Sequence, residues 1–225
     1  MRNYGYPYTK SLSVKILAAL LGASCFCASV SFAATLNVTN DANDLTDAIV
    51  LSTGNGNAGE NSIVAETGMN TITVSSDASA YAVHTWTSST DSANPVNLTI
   101  EGKTGNIITT TDAVSSSTCA GSAIVSGYHN STTDFGYGGA IAVITDTGDN
   151  VIKGIGLQGY GVAALNSIDA DSGVTIEAKT GNNTIVGSAD AVGAANGIVT
   201  IQSDEGSNYL EGAKSAYLNY DGEGH

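Results

Sequence analysis

The stretch that decides the fold runs from Val174 to Gly187 and reads Val174-Thr-Ile-Glu-Ala-Lys-Thr-Gly-Asn-Asn-Thr-Ile-Val-Gly187. It aligns without a gap with Val199-Thr-Ile-Gln-Ser-Asp-Glu-Gly-Ser-Asn-Tyr-Leu-Glu-Gly212. Both copies have alternating apolar residues, then Gly-x-Asn, then another apolar residue. Self-similarity at a spacing of roughly 20–50 residues is typical of solenoids, propellers and repeat arrays.

Three earlier copies share the pattern, and their turns read Gly68-Met69-Asn70, Gly105-Asn106 and Gly148-Asp149-Asn150. The Gly105 copy is one residue shorter than the others. Apolar alternation predicts a short strand before each turn and another after it. Since one such unit cannot bury its apolar face alone, the copies are expected to stack around a common core.

The Gly and Asn residues of the repeat have a structural explanation. Glycine is expected to supply a positive φ, and asparagine tolerates the left-handed region, so the chain can turn sharply at each copy. Asparagines at the same point of successive turns can also form a hydrogen-bonded ladder. These residues are therefore predicted to build turns rather than to catalyse a reaction.

Residues 1–33 have the features of a secretory signal peptide. Arg2, Lys10 and Lys15 precede an apolar run, and Ser31-Phe32-Ala33 places small residues at a cleavage site. A membrane anchor is the alternative, but the run is short and interrupted by Gly and Ser. Lipidation at Cys25 is not expected, because the preceding apolar residue lies one place too far away.

Charge and cysteine content exclude several classes of function. All 21 acidic residues lie beyond the leader, and three of the seven basic residues lie within it, so cleavage would change the net charge from −14 to −17. That charge argues against nucleic acid and anionic lipid as partners. Only Cys119 remains outside the leader, which excludes a disulfide framework and a thiolate metal site. It is expected to be a buried small residue rather than an intermolecular link.

The segment 34–53 is expected to cap the first repeat. Thr35-Leu36-Asn37-Val38 is typical of a strand. The following residues, 41–51, place acids before an apolar set at Leu45, Ala48 and Ile49, which favours a short amphipathic helix. A solenoid needs such a cap over its first coil.

This arrangement resembles the N-terminal passenger region of Gram-negative autotransporter adhesins and haemagglutinin-like proteins. Gly138-Gly-Ala-Ile141 also matches a tetrapeptide of chlamydial-type polymorphic outer-membrane proteins, without that family's Phe-x-x-Asn partner motif. The resemblance implies an all-β fold, a right-handed parallel β-helix (solenoid) over 54–225 with a short N-terminal capping helix. It also implies location at the cell surface or outside a Gram-negative bacterium. The C-terminal barrel of that family does not follow Gly206.

Two stretches interrupt the repeats and are expected to be loop insertions, near 79–97 and 115–138. Loops on a rigid scaffold often carry binding, and aromatic side chains there can stack on sugars. The alternative is that they pack over the coil. The candidate residues are Tyr81, His84, Trp86, Asp91, Cys119, Tyr128, His129, Asp134, Phe135 and Tyr137.

A β-helix glycosidase would need two close carboxylates. The nearest candidates by sequence are Asp146 with Asp149 and Asp169 with Asp171. Asp169 also begins a calcium-like loop, but Thr180 stands where that loop needs Glu. His84, His129 and His225 lack metal-ligand spacing. The sequence therefore predicts no catalytic residue, no metal and no cofactor.

Three functions remain open. The first is a surface or secreted interaction module of adhesin type, whose partner is a protein or glycan on a host or neighbouring cell. The second is a carbohydrate-active β-helix enzyme, either a glycosidase or a lyase. The third is a structural stalk that self-associates through an open end of the β-helix.

Overall fold

The chain winds as a parallel β-helix with three sheets. The computed structural model describes residues 30–31, 35–75, 81–88, 93–111, 121–129, 135–156, 159–165, 172–195 and 197–220. Consecutive strands go to different sheets, and each strand pairs in parallel with its counterpart in the next turn of the chain. We call each such turn a coil and number the coils from one to six. The stacking predicted from the repeats and the parallel β-helix implied by the resemblance are confirmed.

Each coil adds one strand to each sheet. The first sheet contains β2 (Asn37–Asn40), β5 (Gly59–Ala65), β8 (Val96–Gly102), β13 (Ala140–Thr145), β16 (Gly173–Ala178) and β19 (Val199–Ser203). The second contains β3 (Asn43–Leu45), β6 (Met69–Ser75), β9 (Gly105–Thr111), β14 (Asp149–Gly154), β17 (Asn183–Gly187) and β20 (Asn208–Gly212). The third contains β1 (Val30–Ser31), β4 (Ile49–Ser52), β7 (Tyr81–Ser88), β10 (Ser122–Ser126), β15 (Val162–Leu165), β18 (Asp190–Ala195) and β21 (Ser215–Tyr220), with the short strands β11 (Tyr128–His129) and β12 (Phe135–Tyr137) attached to it.

The core lies inside the coils, where apolar side chains of equal register stack on one another. In the second sheet, one column consists of Leu45, Ile72, Ile108, Ile152, Ile185 and Leu210. Ile72, Ile108, Ile152 and Ile185 are completely buried. Parallel pairing in strict register thus turns a sequence repeat into a continuous apolar column.

The helix expected over 41–51 is wrong. Asn43–Leu45 and Ile49–Ser52 form strands β3 and β4, and the described residues contain no α-helix, only a 3-10 turn at Thr53–Asn55. The physical reason is tertiary pairing: Asn43 and Leu45 lie opposite Asn70 and Ile72 in the next coil. Their inward stacking outweighs the weak preference of a short acidic segment for a helix.

The expected role of the repeat glycines is also wrong. Gly68, Gly148, Gly181 and Gly206 do not have a positive φ. They are glycines because successive turns touch: a Cβ on Gly148 would collide with the carbonyl oxygen of Thr104, and one on Gly181 with that of Gly148. Only the shortened copy uses the positive region, with φ +140° at Gly105.

The three corners between the sheets differ in length. Corner one, between the first and second sheets, is two to four residues long in every coil and includes residues 66–68, 146–148 and 179–182. Corner two, between the second and third sheets, includes the longer connections 112–121 and 155–161. Corner three, between the third sheet and the next coil, includes 89–95, 127–139 and 166–172. Long connections are therefore confined to the two corners that flank the third sheet.

The two predicted insertions are less loop-like than expected. Each contains a strand of the third sheet, β7 within 79–97 and β10 within 115–138. These strands lack the apolar–polar alternation of the repeat because both of their faces are largely buried. β1 lies in the predicted leader, where Val30 and Ser31 pair with Ile49 and Val50. Cleavage after Ala33 would remove that strand.

Candidate functional site

The candidate site is the outer face of the third sheet with corners two and three. Apart from Tyr209 in the second sheet, the aromatic residues in the described part of the chain all belong to this sheet or its corners. They are Tyr81, Trp86, Tyr128, Phe135, Tyr137, Tyr160, Tyr217 and Tyr220. Tyr160, Tyr217 and Tyr220 were not predicted, since they lie outside both interrupted stretches and belong to the third sheet or its corners only through coil stacking.

A hairpin at corner three extends the site. β11 and β12 pair antiparallel with each other, and β12 then pairs antiparallel with the end of β7, with Tyr137 opposite Thr87. Gly136 lies against the Trp86 side chain, so that a Cβ at Gly136 would be 3.0 Å from the Trp86 ring. The hairpin therefore fixes Trp86 and Tyr137 at one edge of the third sheet.

The hairpin leaves the coil at Gly127, which has φ +86°. A Cβ at Gly127 would also collide with the carbonyl oxygen of Leu165 in the next coil. Both the backbone conformation and the close approach require glycine at this position. Gly127 is therefore required at the point where the chain leaves the third sheet for the hairpin.

His84 holds the start of the hairpin. Its Nε2 lies 3.1 Å from the carbonyl oxygen of Gly127, and because a carbonyl only accepts, Nε2 carries the hydrogen. The side chain is 7 % exposed. Burial lowers the pKa of His84 to about 4, against the opposing effect of the Gly127 hydrogen bond. His84 is therefore a neutral structural residue at pH 7, beside the Tyr81 ring at 4.5 Å between centroids.

A small apolar cluster covers the middle of the outer face. Val125 and Ala163 are buried there, with Tyr81, Tyr160 and Leu165 packed around them. The Tyr160 ring lies directly over Gly193, where a Cβ would be 2.7 Å from a ring carbon. Tyr81 and Tyr160 are only partly buried. Small residues beneath them thus allow these two aromatic side chains to lie along the sheet with part of their surface in solvent.

The predicted carboxylate candidate Asp146 lies at corner one, in a different part of the molecule. Its Oδ2 and Oδ1 accept hydrogen bonds from Lys103 and Lys179, each at 2.5 Å. These bonds, first that of Lys103 and then that of Lys179, lower the pKa of Asp146 to about 2. Asp146 thus connects coils three, four and five through ion pairs.

Asp149 has a similar corner contact, since its Oδ1 accepts from the backbone N–H of Asn182 at 2.8 Å. Both acids are therefore engaged in contacts between neighbouring turns, as acids in turns commonly are. The other predicted candidates, Asp91, Cys119, Asp134, Asp169 and Asp171, lie outside the described residues.

Within the described residues, no group of three or more His, Cys, Asp or Glu side chains is arranged to hold a metal ion. No helix of that part of the chain is long and apolar enough to cross a membrane.

The chain was compared with known proteins at three levels. No protein-family model, no curated protein and no solved structure matches it. The strand pairings described above define the fold of this chain.

Proposed function

We propose that this chain is a non-enzymatic interaction module of adhesin type. In this proposal it is exported by a Gram-negative bacterium and acts at the cell surface or in the medium. The β-helix serves as a rigid support, and corners two and three with the third sheet contact a protein or glycan on a host or neighbouring cell. The resemblance of the leader and repeats to autotransporter passengers supports the export.

One observation carries the proposal, namely the concentration of aromatic residues and long connections on one side of an otherwise regular coil. Binding residues are commonly found on loops that a rigid scaffold holds in place. The first and second sheets and corner one are short, repetitive and almost free of aromatic residues. Stability of the β-helix alone does not explain why aromatic residues and long connections are concentrated on the side of the third sheet.

The chemistry of this side favours glycans without negative charge. Partly exposed rings such as Tyr81 and Tyr160 can stack on the apolar faces of sugars, as aromatic rings do at interfaces that are half apolar and half wet. The formal net charge of −14 repels polyanions. We therefore expect neutral or basic sugars to bind better than sulfated or sialylated ones.

Binding can be tested with the fluorescently labelled protein on an array of neutral, basic and acidic glycans and on intact cells. Hits are then titrated with the free glycan in solution against Tyr160→Ser and Tyr137→Ser. Tyr209→Ser is the matched control, because Tyr209 is an exposed tyrosine of the second sheet. We expect at least a tenfold loss of affinity in the first two variants and less than twofold in the control.

Two results would overturn the proposal. One is binding no stronger than that of an unrelated protein of equal charge, to every glycan and cell type. The other is an equal loss of affinity in all three variants, which would place the contact elsewhere. Circular dichroism of each variant identifies misfolding separately.

The enzymatic alternative has less support. The described acids that it would use, Asp146 and Asp149, lie at corner one and are held by Lys103, Lys179 and Asn182. They are separated in the fold from the aromatic side, where an extended sugar chain would have its natural stacking platform. The proposed function therefore assigns these acids a structural role.

A further inference from the structure

One column of residues on the outer face of the third sheet becomes smaller along the axis of the β-helix. His84, Val125, Ala163 and Gly193 occupy the same register position in coils two, three, four and five. The side chain thus shrinks from an imidazole ring to a single hydrogen atom over three steps. Because neighbouring strands lie about 4.8 Å apart, the column covers roughly 14 Å along the axis.

Two tyrosine rings lie at the two ends of this column. The Tyr81 ring is 4.5 Å from the His84 ring between centroids, at the end in coil two. The Tyr160 ring lies over Gly193, at the end in coil five. Both tyrosines pack against the two buried residues of the column in coils three and four, and both remain partly exposed. We call the two tyrosines and the column between them the tyrosine strip.

The column of the tyrosine strip has no charged side chain. Its one ionisable residue, His84, is kept neutral at pH 7 by burial, which lowers its pKa to about 4. The outward positions of the first and second sheets do carry charged side chains, namely Glu60, Glu101, Glu177, Asp44, Lys153 and Glu211. The strip therefore offers aromatic surface without a group that could form an ion pair with a ligand, which favours an uncharged ligand.

The hairpin limits the strip on the side of corner three. Trp86 follows His84 by two residues on β7, and Gly136 of β12 lies against its ring. A long ligand that ran along the strands would meet this contact, whereas the column along the axis consists of small residues beyond coil two. The long direction of the strip is therefore parallel to the axis of the β-helix.

We propose that the tyrosine strip binds an internal segment of a linear, uncharged polysaccharide that lies along the axis of the β-helix. This rests on the proposed function and specifies its ligand as an extended chain rather than a terminal sugar. A sugar ring and a tyrosine ring are similar in size, so a monosaccharide can stack on one tyrosine only. A chain of several sugars reaches from Tyr81 to Tyr160, and the second contact is then made within the complex at little further cost.

The dependence of affinity on chain length tests the proposal. Isothermal titration calorimetry uses β-1,4-linked cello-oligosaccharides and N-acetylated chito-oligosaccharides, from the monosaccharide to the hexasaccharide. We expect at least one series to gain tenfold or more in affinity up to the length that reaches both rings, and to level off beyond it. In Tyr81→Ser and Tyr160→Ser, hexasaccharide and monosaccharide should bind within twofold of each other, because one ring remains. Tyr209→Ser, an exposed tyrosine of the second sheet, is the matched control and should keep the full length dependence.

Gly193→Ala tests the arrangement without removing a ring. The added Cβ would be 2.7 Å from a carbon of the Tyr160 ring, so the ring has to leave its place over the column. We expect the gain in affinity from monosaccharide to hexasaccharide to fall at least threefold while circular dichroism is unchanged. Gly54→Ala, whose Cβ would be 3.7 Å from the nearest heavy atom, is the control and should behave like wild type.

The proposal is wrong if the monosaccharide binds as tightly as the hexasaccharide, or if neither series binds while another glycan on the array does. It is also wrong if the length dependence survives in Gly193→Ala and in both tyrosine variants. In each of these cases the proposed function remains, because a glycan still binds. Failure of every glycan and cell type to bind contradicts the proposed function itself, and with it the ligand assigned to the strip.

Discussion

The Asn150 side chain donates a hydrogen bond of 2.8 Å to Oδ1 of Asn183, 33 positions later in the chain. Its second amide hydrogen goes to the carbonyl of Glu177 at 2.8 Å, and its own Oδ1 accepts from Asn106. The same triple contact recurs at Asn70, Asn106 and Asn183, all of them completely buried. The carboxamides thus form a satisfied polar column beside an apolar core.

Removing one rung should destabilise the whole coil. In Asn150→Ala, a buried donor of Asn106 and buried acceptors at Asn183 and Glu177 lose their partner, at a cost of about 1–3 kcal/mol for an unsatisfied buried group. We expect urea unfolding to show a loss of about 3 kcal/mol. Asn182→Ala, at the neighbouring exposed position, should cost less than about 0.5 kcal/mol. Equal losses in both variants would show that the ladder contributes little.

Adding a methyl group at corner one should separate successive turns. A Cβ in Gly148→Ala collides with the backbone of Thr104, which cannot move without shifting the coil. We expect a loss of about 1–3 kcal/mol from overpacking. Gly54→Ala is the control, because its nearest heavy atom would be at 3.7 Å, and its effect on the unfolding midpoint should be small. A stable Gly148→Ala variant would contradict the close stacking of corner one.

His84 should make the fold sensitive to mild acid. Its pKa is lowered from 6.5 to about 4 by burial, so the unfolded chain binds a proton between these values while the folded chain does not. Stability is therefore lost as the pH falls from about 6.5 to 4, by up to about 3 kcal/mol from this residue. In His84→Gln this part of the pH dependence should vanish.

The control for this measurement is His129→Gln, which removes a histidine from the other insertion, 115–138. Chemical unfolding at pH 7, 6, 5 and 4 compares the three proteins. If the slope of stability against pH is the same with and without His84, the residue is not held neutral by burial.

Asp146 should act in a lower pH range. Its pKa is lowered from 3.8 to about 2 by Lys103 and Lys179, so its contribution is present above pH 4 and is lost as the pH falls towards 2. We expect the stability difference between wild type and Asp146→Asn to shrink over that range. Both ion pairs are exposed, so 1 M salt should reduce the same difference at pH 7. If this stability difference changes with neither pH nor salt, the charge of Asp146 does not contribute to stability.

The sequence was sufficient to predict the parallel coils and the ladder, but not where the ladder begins. Asn70 and the corresponding asparagine of each later copy follow the glycine of the turn, and this pattern is visible in the sequence alone. Asn43 lies in a segment without that signature, where acids followed by Leu45 favour a helix. Only pairing with β6 shows that Asn43 is the first rung.

The candidate site was predictable in part. The sequence indicated Tyr81, Trp86 and Tyr137, because they lie in the two stretches that interrupt the repeat. Tyr160 could not be connected with them, since it belongs to coil four and its neighbours Gly193 and Val125 come from coils five and three. Side-chain neighbours across coils depend on register, which local pattern does not specify.

The sequence by itself determined the repeated unit, its inward-facing residues and its recurring asparagine, because alternation and the Gly-x-Asn turn are local properties of the chain. The tertiary structure decided which residues of different coils meet. Ladder neighbours are separated by as few as 25 positions and as many as 44, so no fixed spacing in the chain identifies them. The bridge from Lys103 through Asp146 to Lys179 and the gathering of aromatic residues on the third sheet both result from that stacking. The physical reason is that parallel strands align by backbone hydrogen bonds, whatever the length of the connection between them.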